Sequence, residues 1–113
     1  MRDPNSVLIP LEEIAEGKMH ACAVGGREIV ICRTKDGIYA LDNVCTHAYA
    51  RLSEGRLRGS RLICPLHGAS FDVRNGNPLG APATRPLATH AVRVTDDCIE
   101  VSVPPADPRP LAL

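Results

Sequence analysis

Two closely spaced cysteine–histidine pairs offer this chain a set of metal ligands. Cys45 and His47 form a Cys-x-His pair, and Cys64 and His67 form a Cys-x-x-His pair after sixteen intervening residues. Thiolate sulfur and imidazole nitrogen are ligands for zinc, copper and iron–sulfur clusters. In an extended loop, residues i and i+2 point the same way about 6.5 Å apart, so Cys45 and His47 suit two adjacent metal ions better than one. The pattern therefore predicts a metal site with two sulfur and two nitrogen ligands.

The spacing and the flanking residues resemble one family of iron–sulfur proteins. Iron–sulfur clusters usually take four thiolates, but in the Rieske [2Fe–2S] centre two histidines replace two cysteines on one iron. The motif here resembles the Rieske family, including Pro65 and Gly68 beside the second pair. The resemblance implies one [2Fe–2S] cluster, with Cys45 and Cys64 on one iron and His47 and His67 on the other.

A Cys₂His₂ zinc site is an alternative interpretation of the same four residues, and it would be tetrahedral and structural. Zinc ligand pairs typically keep about two to four residues between the ligands, whereas Cys45 and His47 keep one. A disulfide between the cysteines would leave both histidines unexplained.

Length and composition predict one domain over residues 1–113, with the cluster-binding part at about 43–86 and a proline-rich tail at 104–113. The formal net charge is zero, so neither nucleic acid nor a membrane is an expected partner. Neither a long apolar run nor a signal peptide is evident, and nothing suggests an oxidising compartment, so we expect a cytoplasmic protein. The other cysteines lie in apolar runs and are interpreted as small buried hydrophobes; they are Cys22, Cys32 and Cys98.

The pattern of short apolar runs and frequent turn residues predicts an all-β fold. Glycine or Asx-Gly turns separate the runs, for example Gly25-Gly26 and Asn75-Gly76. The resemblance implies three small antiparallel sheets with the cluster-binding loops at one tip. It also places a proline-containing loop over the cluster at 80–83, although an ordinary connection around Pro82 explains those residues equally well.

The function implied by the resemblance is electron transfer, not catalysis. A Rieske ferredoxin of this size passes single electrons from a flavin-dependent NADH reductase to a terminal ring-hydroxylating oxygenase in the degradation of aromatic compounds. Outside the motif only His20 and His90 remain, and we interpret both as partly exposed strand residues, which leaves no mononuclear iron site. Two alternatives stay open: the small Rieske-like subunit of a nitrite reductase, and a structural zinc module.

Two further features bear on how such a carrier would work. High-potential Rieske proteins have an extra cysteine in each ligand loop and two hydroxyl donors near the cluster. The matching positions here are Ala50, Leu66, Ala69 and Phe71, which predicts a low potential of about −150 mV. Residues 45–86 also contain six arginines and two acids, so we expect the cluster end to be positive and to favour an acidic partner surface.

Overall fold

Antiparallel strands form most of the computed structural model, which describes residues 5–46, 50–66, 68–81 and 85–104. Two 3₁₀ turns occur in these ranges, at Leu11–Glu13 and Leu52–Glu54. No helix among the described residues is long and apolar enough to cross a membrane. The strands are β1 (Ser6–Pro10), β2 (Met19–Val24), β3 (Arg27–Thr34), β4 (Gly37–Asp42), β5 (Arg56–Arg58), β6 (Arg61–Ile63), β7 (Ser70–Asp72), β8 (Pro78–Gly80), β9 (Thr89–Thr95) and β10 (Cys98–Ser102).

The strands pair into three antiparallel ladders, which confirms the predicted fold class. One ladder has the order β1-β10-β9 and another has the order β4-β3-β2. Two residue pairs between β4 and β9 join these ladders into a six-stranded sheet. The third ladder is a separate four-stranded sheet of order β5-β6-β7-β8. Residues 43–55 connect β4 to β5 and contain the first predicted ligand loop, and the second lies between β6 and β7.

Strand β3 separates two hydrophobic cores because both of its faces are buried. Side chains alternate across a strand, so Ile29 and Ile31 pack in one core and Val30 and Cys32 in the other. The first of these cores lies between the two ladders of the six-stranded sheet. The second extends from β3 and β4 to the four-stranded sheet and includes Phe71, which is fully buried. The continuous apolar run at 29–32 is typical of such a doubly buried strand.

The predicted hairpins are confirmed, and two small elements were missed. Gly25 and Gly26 adopt positive φ angles of 57° and 81° and connect β2 to β3, as their lack of a Cβ allows. Strand β8 and the 3₁₀ turn at Leu52–Glu54 were not predicted, because three residues carry too little periodicity to identify an element. Most of the predicted proline-rich tail and the loop around Pro82 lie outside the described residues.

Candidate metal centre

Two loops of equal length place the predicted cysteine ligands. The backbone N–H of Cys45 donates to the carbonyl of Ala50 at 2.9 Å, and the N–H of Cys64 donates to the carbonyl of Ala69 at 2.7 Å. Each cysteine therefore begins a loop that closes on the fifth residue after it. Both alanines are buried, because the base of each loop packs against the core below. A Cys followed by Ala five positions later is a sequence signal shared by both loops, and the sequence interpretation missed it.

The two cysteine side chains lie together although nineteen positions separate them in the chain. Cys45 and Cys64 are both buried in the core that also contains Phe71. Burial is the main cause that raises the pKa of the Cys64 thiol. The Leu66 backbone N–H donates to that sulfur and opposes this effect, whereas the hydrogen-bonded thiol of Cys45 adds to it.

This pair of thiols fits a cationic cluster. Burial disfavours the thiolate form of Cys64, because the surroundings solvate charge poorly. Bound iron would favour the thiolate, because a metal cation is the largest local charge in such a site. Elsewhere in the described ranges, no group of three or more His, Cys, Asp or Glu side chains could hold a metal ion.

Asn43 holds the base of the first loop. Its side chain is buried and makes two bonds to Ser53, accepting from the backbone N–H at 2.8 Å and donating to the hydroxyl at 2.9 Å. Its carbonyl accepts from the N–H of Leu52 at 2.7 Å. A buried polar group is costly unless its bonds are satisfied, so these contacts fix where the loop leaves β4. Sequence patterns did not identify this residue.

Thr46 links the first loop to the segment that follows the predicted proline loop. Its hydroxyl donates to the carbonyl of Arg85 at 2.9 Å, and the Arg85 guanidinium donates to the carbonyl of Thr46 at 3.2 Å. The reciprocal pair connects residues 39 positions apart. It ties the chain after position 84 to the backbone between the two predicted ligands of the first pair.

The structure describes two of the four predicted ligands. It brings Cys45 and Cys64 together, whereas His47 and His67 lie outside the described residues, as does Pro82. The segment around His67 is described on both sides: Leu66 is exposed, and Gly68 has a φ of 72°, a conformation that glycine adopts without strain.

His90 as a whole residue is half-buried, as expected. Its imidazole ring, however, is only 1% exposed, and its Nε2 lies 2.8 Å from Asp42 Oδ1. Its Nδ1 has no hydrogen-bond partner among the described residues. His90 is opposite Ala40 where β4 meets β9, so tertiary pairing buries a ring that alternation alone would leave at the surface. His20 is half-buried, as expected.

The remaining cysteines behave as small apolar residues. Cys32 is fully buried, and burial raises the pKa of its thiol to about 12. Cys22 is half-buried, and burial raises the pKa of its thiol as well. Cys98 is also half-buried. The interpretation of buried hydrophobes therefore holds fully for Cys32 and in part for the other two.

Comparisons with known proteins agree with this geometry. Residues 5–91 match the family model described as the Rieske [2Fe-2S] domain. The chain is 41% identical over 86 residues to the ferredoxin component of the naphthalene 1,2-dioxygenase system of Pseudomonas putida, covering 76% of this chain and 83% of that protein. It is similar to the ferredoxin of carbazole 1,9a-dioxygenase from Nocardioides aromaticivorans IC177, with a TM-score of 0.83, 34% identity and coverage of 90% of this chain and 99% of that one. A solved complex of reduced oxygenase and oxidized ferredoxin in carbazole 1,9a-dioxygenase contains a chain with 31% identity and a TM-score of 0.83, covering 88% of this chain and 94% of that one.

Proposed function

Since this chain belongs to the Rieske [2Fe–2S] family, alongside the ferredoxin components of dioxygenase systems, we propose that it carries single electrons from a flavin-dependent NADH reductase to a terminal oxygenase. The chain is an electron-transfer component and not itself an enzyme. These relatives favour a dioxygenase system over the nitrite reductase alternative. The observation that carries the proposal is the pair of matched loops that bring Cys45 and Cys64 together in a buried site.

The proposed ligands are Cys45 and Cys64 for one iron and His47 and His67 for the other. The buried cysteine pair supports the first half of this set, and the family match over residues 5–91 supports the second. A Rieske cluster supplies one-electron chemistry when bound. The residues of this chain keep water from the cysteine side of the site, since both thiols belong to a packed core. We propose a single domain for residues 1–113, with its cluster-binding part at about 43–86.

A low potential is part of the proposal. The two positions where a hydroxyl could donate towards the cluster are Ala69 and Phe71, and both side chains are fully buried and lack a donor. Hydrogen bonds to a cluster or its thiolates stabilise the more negative reduced state, so their absence lowers the potential. A low potential suits acceptance of electrons from a flavoprotein and delivery to an oxygenase.

The partner and the compartment follow from the same reasoning. A ferredoxin 31% identical to this chain occurs in a solved complex with its oxygenase, which supports an oxygenase as the electron acceptor here. The reductase is proposed as the donor because the dioxygenase relatives are components of multi-protein systems. We propose a cytoplasmic location, where the cysteines outside the cluster site would stay reduced.

The cluster assignment is tested by spectroscopy of the purified protein. The wild type should be coloured and should give a [2Fe–2S] electron paramagnetic resonance signal after reduction with dithionite. Cys45→Ser and Cys64→Ser should lose both properties, whereas the control His20→Ala should keep them, because His20 lies on β2 outside both loops. A colourless wild type containing stoichiometric zinc would refute the assignment. Electron delivery is tested by NADH-dependent turnover of the oxygenase with and without this protein.

A further inference from the structure

The outer face of the four-stranded sheet carries a group of arginines. Arg56 and Arg58 alternate along β5 with Leu57, which packs on the core, so both arginines point to the opposite face. Arg61 on β6 is directly opposite Arg58 and shares that face. All three arginines are exposed. We call them the β5–β6 arginine face.

The charge of this face is not neutralised within the described part of the molecule. Arg61 donates to the hydroxyl of Ser70 at 3.0 Å, and this hydroxyl carries no charge. Among the described residues, neither Arg56 nor Arg58 forms an ion pair. Asp72 lies opposite Arg61 on β7, but its carboxylate is taken by Arg74 through two bonds of 3.0 and 2.9 Å.

The other arginines near the cluster end are already engaged. Arg51 forms a 2.7 Å ion pair with Glu28, and Arg85 donates to the Thr46 carbonyl. Of the six arginines of residues 45–86, an acid therefore neutralises Arg51 and Arg74, whereas the carbonyl that Arg85 binds carries no charge. The β5–β6 arginine face is the group of unneutralised arginines that share one pair of strands. Glu54 is the acid at the edge of this face, and it is exposed beside Arg56.

The arrangement of this face opposes stability. Arg58 and Arg61 are a directly opposed cross-strand pair, and like charges in that position destabilise a sheet. No described contact offsets their repulsion. This like-charged pair therefore does not stabilise the fold, and a bound partner with the opposite charge would offset its repulsion.

The face also continues to the candidate cluster site. Arg56 is paired with Ile63, the residue before Cys64. Arg56 and Ile63 line a cleft of about 340 Å³ together with Cys64, Pro65 and Gly68 of the second ligand loop. Arg61 is three residues before Cys64, within about 10 Å along an extended strand. That distance is comparable to the screening length of about 10 Å at 0.1 M salt, so a partner on the loop would feel these charges.

On the basis of the function proposed above, we infer that the β5–β6 arginine face is a docking surface for an acidic patch on the terminal oxygenase, seated beside the second ligand loop. Opposite charges across such an interface accelerate encounter and fix orientation. The oxygenase would cover the cleft at Cys64 while its acids pair with the arginines. The cluster would then face the acceptor through the exposed end of this loop.

The test is the second-order rate of electron transfer from the reduced, cluster-loaded protein to the oxygenase purified from the same organism, measured by stopped flow across ionic strength. The double variant Arg56→Glu/Arg58→Glu should be at least tenfold slower than wild type at low salt, and the difference should shrink as salt rises. The control is Arg93→Glu, which makes the same arginine-to-glutamate change on the six-stranded sheet, where Arg93 forms an ion pair with Glu100. Its rate of electron transfer should stay within about twofold of the wild-type rate.

Folding and docking give opposite readouts at one position. Arg58→Glu should keep or raise the melting temperature, because it replaces a repulsive cross-strand pair with an attractive one, while it slows transfer to the oxygenase. The spectrum and midpoint potential of the variants report whether the cluster is intact. Slower transfer by a stable variant with an unchanged spectrum supports the docking surface.

Two results would overturn the inference. If wild type reduces the oxygenase and the double variant does so equally fast at low salt, the arginine face does not dock the oxygenase, even if transfer from the reductase is slowed. In that case the proposed carrier function stands. If wild type fails to reduce the oxygenase at any salt concentration, the carrier function and the docking surface both fall.

Discussion

Adding hydroxyl donors beneath the candidate cluster should raise its midpoint potential. The change is Ala69→Ser/Phe71→Tyr. Both side chains are 0% exposed and pack in the core that contains Cys45 and Cys64. Because water does not compete at these positions, a donated hydrogen bond to a cluster sulfur or a thiolate would act at nearly full strength. It would stabilise the reduced state more, because that state is more negative.

The size of the shift follows from hydrogen-bond energies. A bond to a charged acceptor contributes about 1.5–3 kcal/mol, and about 1.4 kcal/mol corresponds to 59 mV for one electron. Two hydroxyls would therefore raise the potential by on the order of 100–250 mV if the whole energy acts on the reduced state. From a starting value of about −150 mV, the double variant should approach zero or a slightly positive potential.

Protein-film voltammetry on the wild type, the two single variants and the double variant measures this shift. Ala40→Ser is the matched control, because Ala40 is equally buried but packs in the other core; its potential should not change. Thermal melts distinguish a hydroxyl that bonds to the cluster site from one that does not, because a buried hydroxyl without a partner costs about 1–3 kcal/mol of stability. A cluster-loaded double variant with an unchanged potential would refute the reasoning, as would a wild-type potential above about +100 mV.

Three further predictions concern the scaffold. Arg74 holds the pKa of Asp72 below its ordinary value of 3.8 through a side-chain hydrogen bond, so Asp72 stabilises the fold above that pH and the benefit is lost as pH falls through the lower folded-state value; Asp72→Asn should lower the melting temperature at pH 7 but not at about pH 2. In Gly55→Ala, the new Cβ would clash with the carbonyl oxygen of Ile63, so urea denaturation should show a loss of about 1–3 kcal/mol. Cys32, whose pKa is raised to about 12 by burial, should resist thiol-specific reagents at pH 8 in the native protein, as mass spectrometry would show.

Each of these predictions has its own control. For Asp72→Asn, a difference in melting temperature that persists at acid pH would show that charge is not the cause. For Gly55→Ala, the control is Gly17→Ala, which meets no atom within 4 Å but has a φ of 83°, so it also costs stability through backbone strain. It should leave the cluster spectrum unchanged, whereas the clash beside Cys64 should reduce cluster content. For Cys32, half-buried Cys98 is the comparison, and equal labelling of both thiols would contradict the burial argument.

Most of the strands and turns could be predicted from the sequence alone, because local chemistry sets them. Glycine at positions 25 and 26 and the alternation of apolar residues are properties of short segments, and each predicted a hairpin that the structure contains. The ligand types were also local information, since the choice of thiolate and imidazole depends on chemistry and not on distance. Residue type and spacing were therefore enough to identify Cys45 and Cys64 as candidate ligands.

Which of these residues meet, and which charges stay without an opposite charge, depends on how the sheets pack. The contact between Cys45 and Cys64 depends on two loops packing against one core, and the burial of the His90 ring depends on the pairing of β4 with β9. The sequence showed six arginines near the cluster, but the fold pairs Arg51 with Glu28 and Arg74 with Asp72. Hydrogen bonds, ion pairs and desolvation act over a few ångströms in space, and residues far apart in the chain come within that distance only when the sheets have packed.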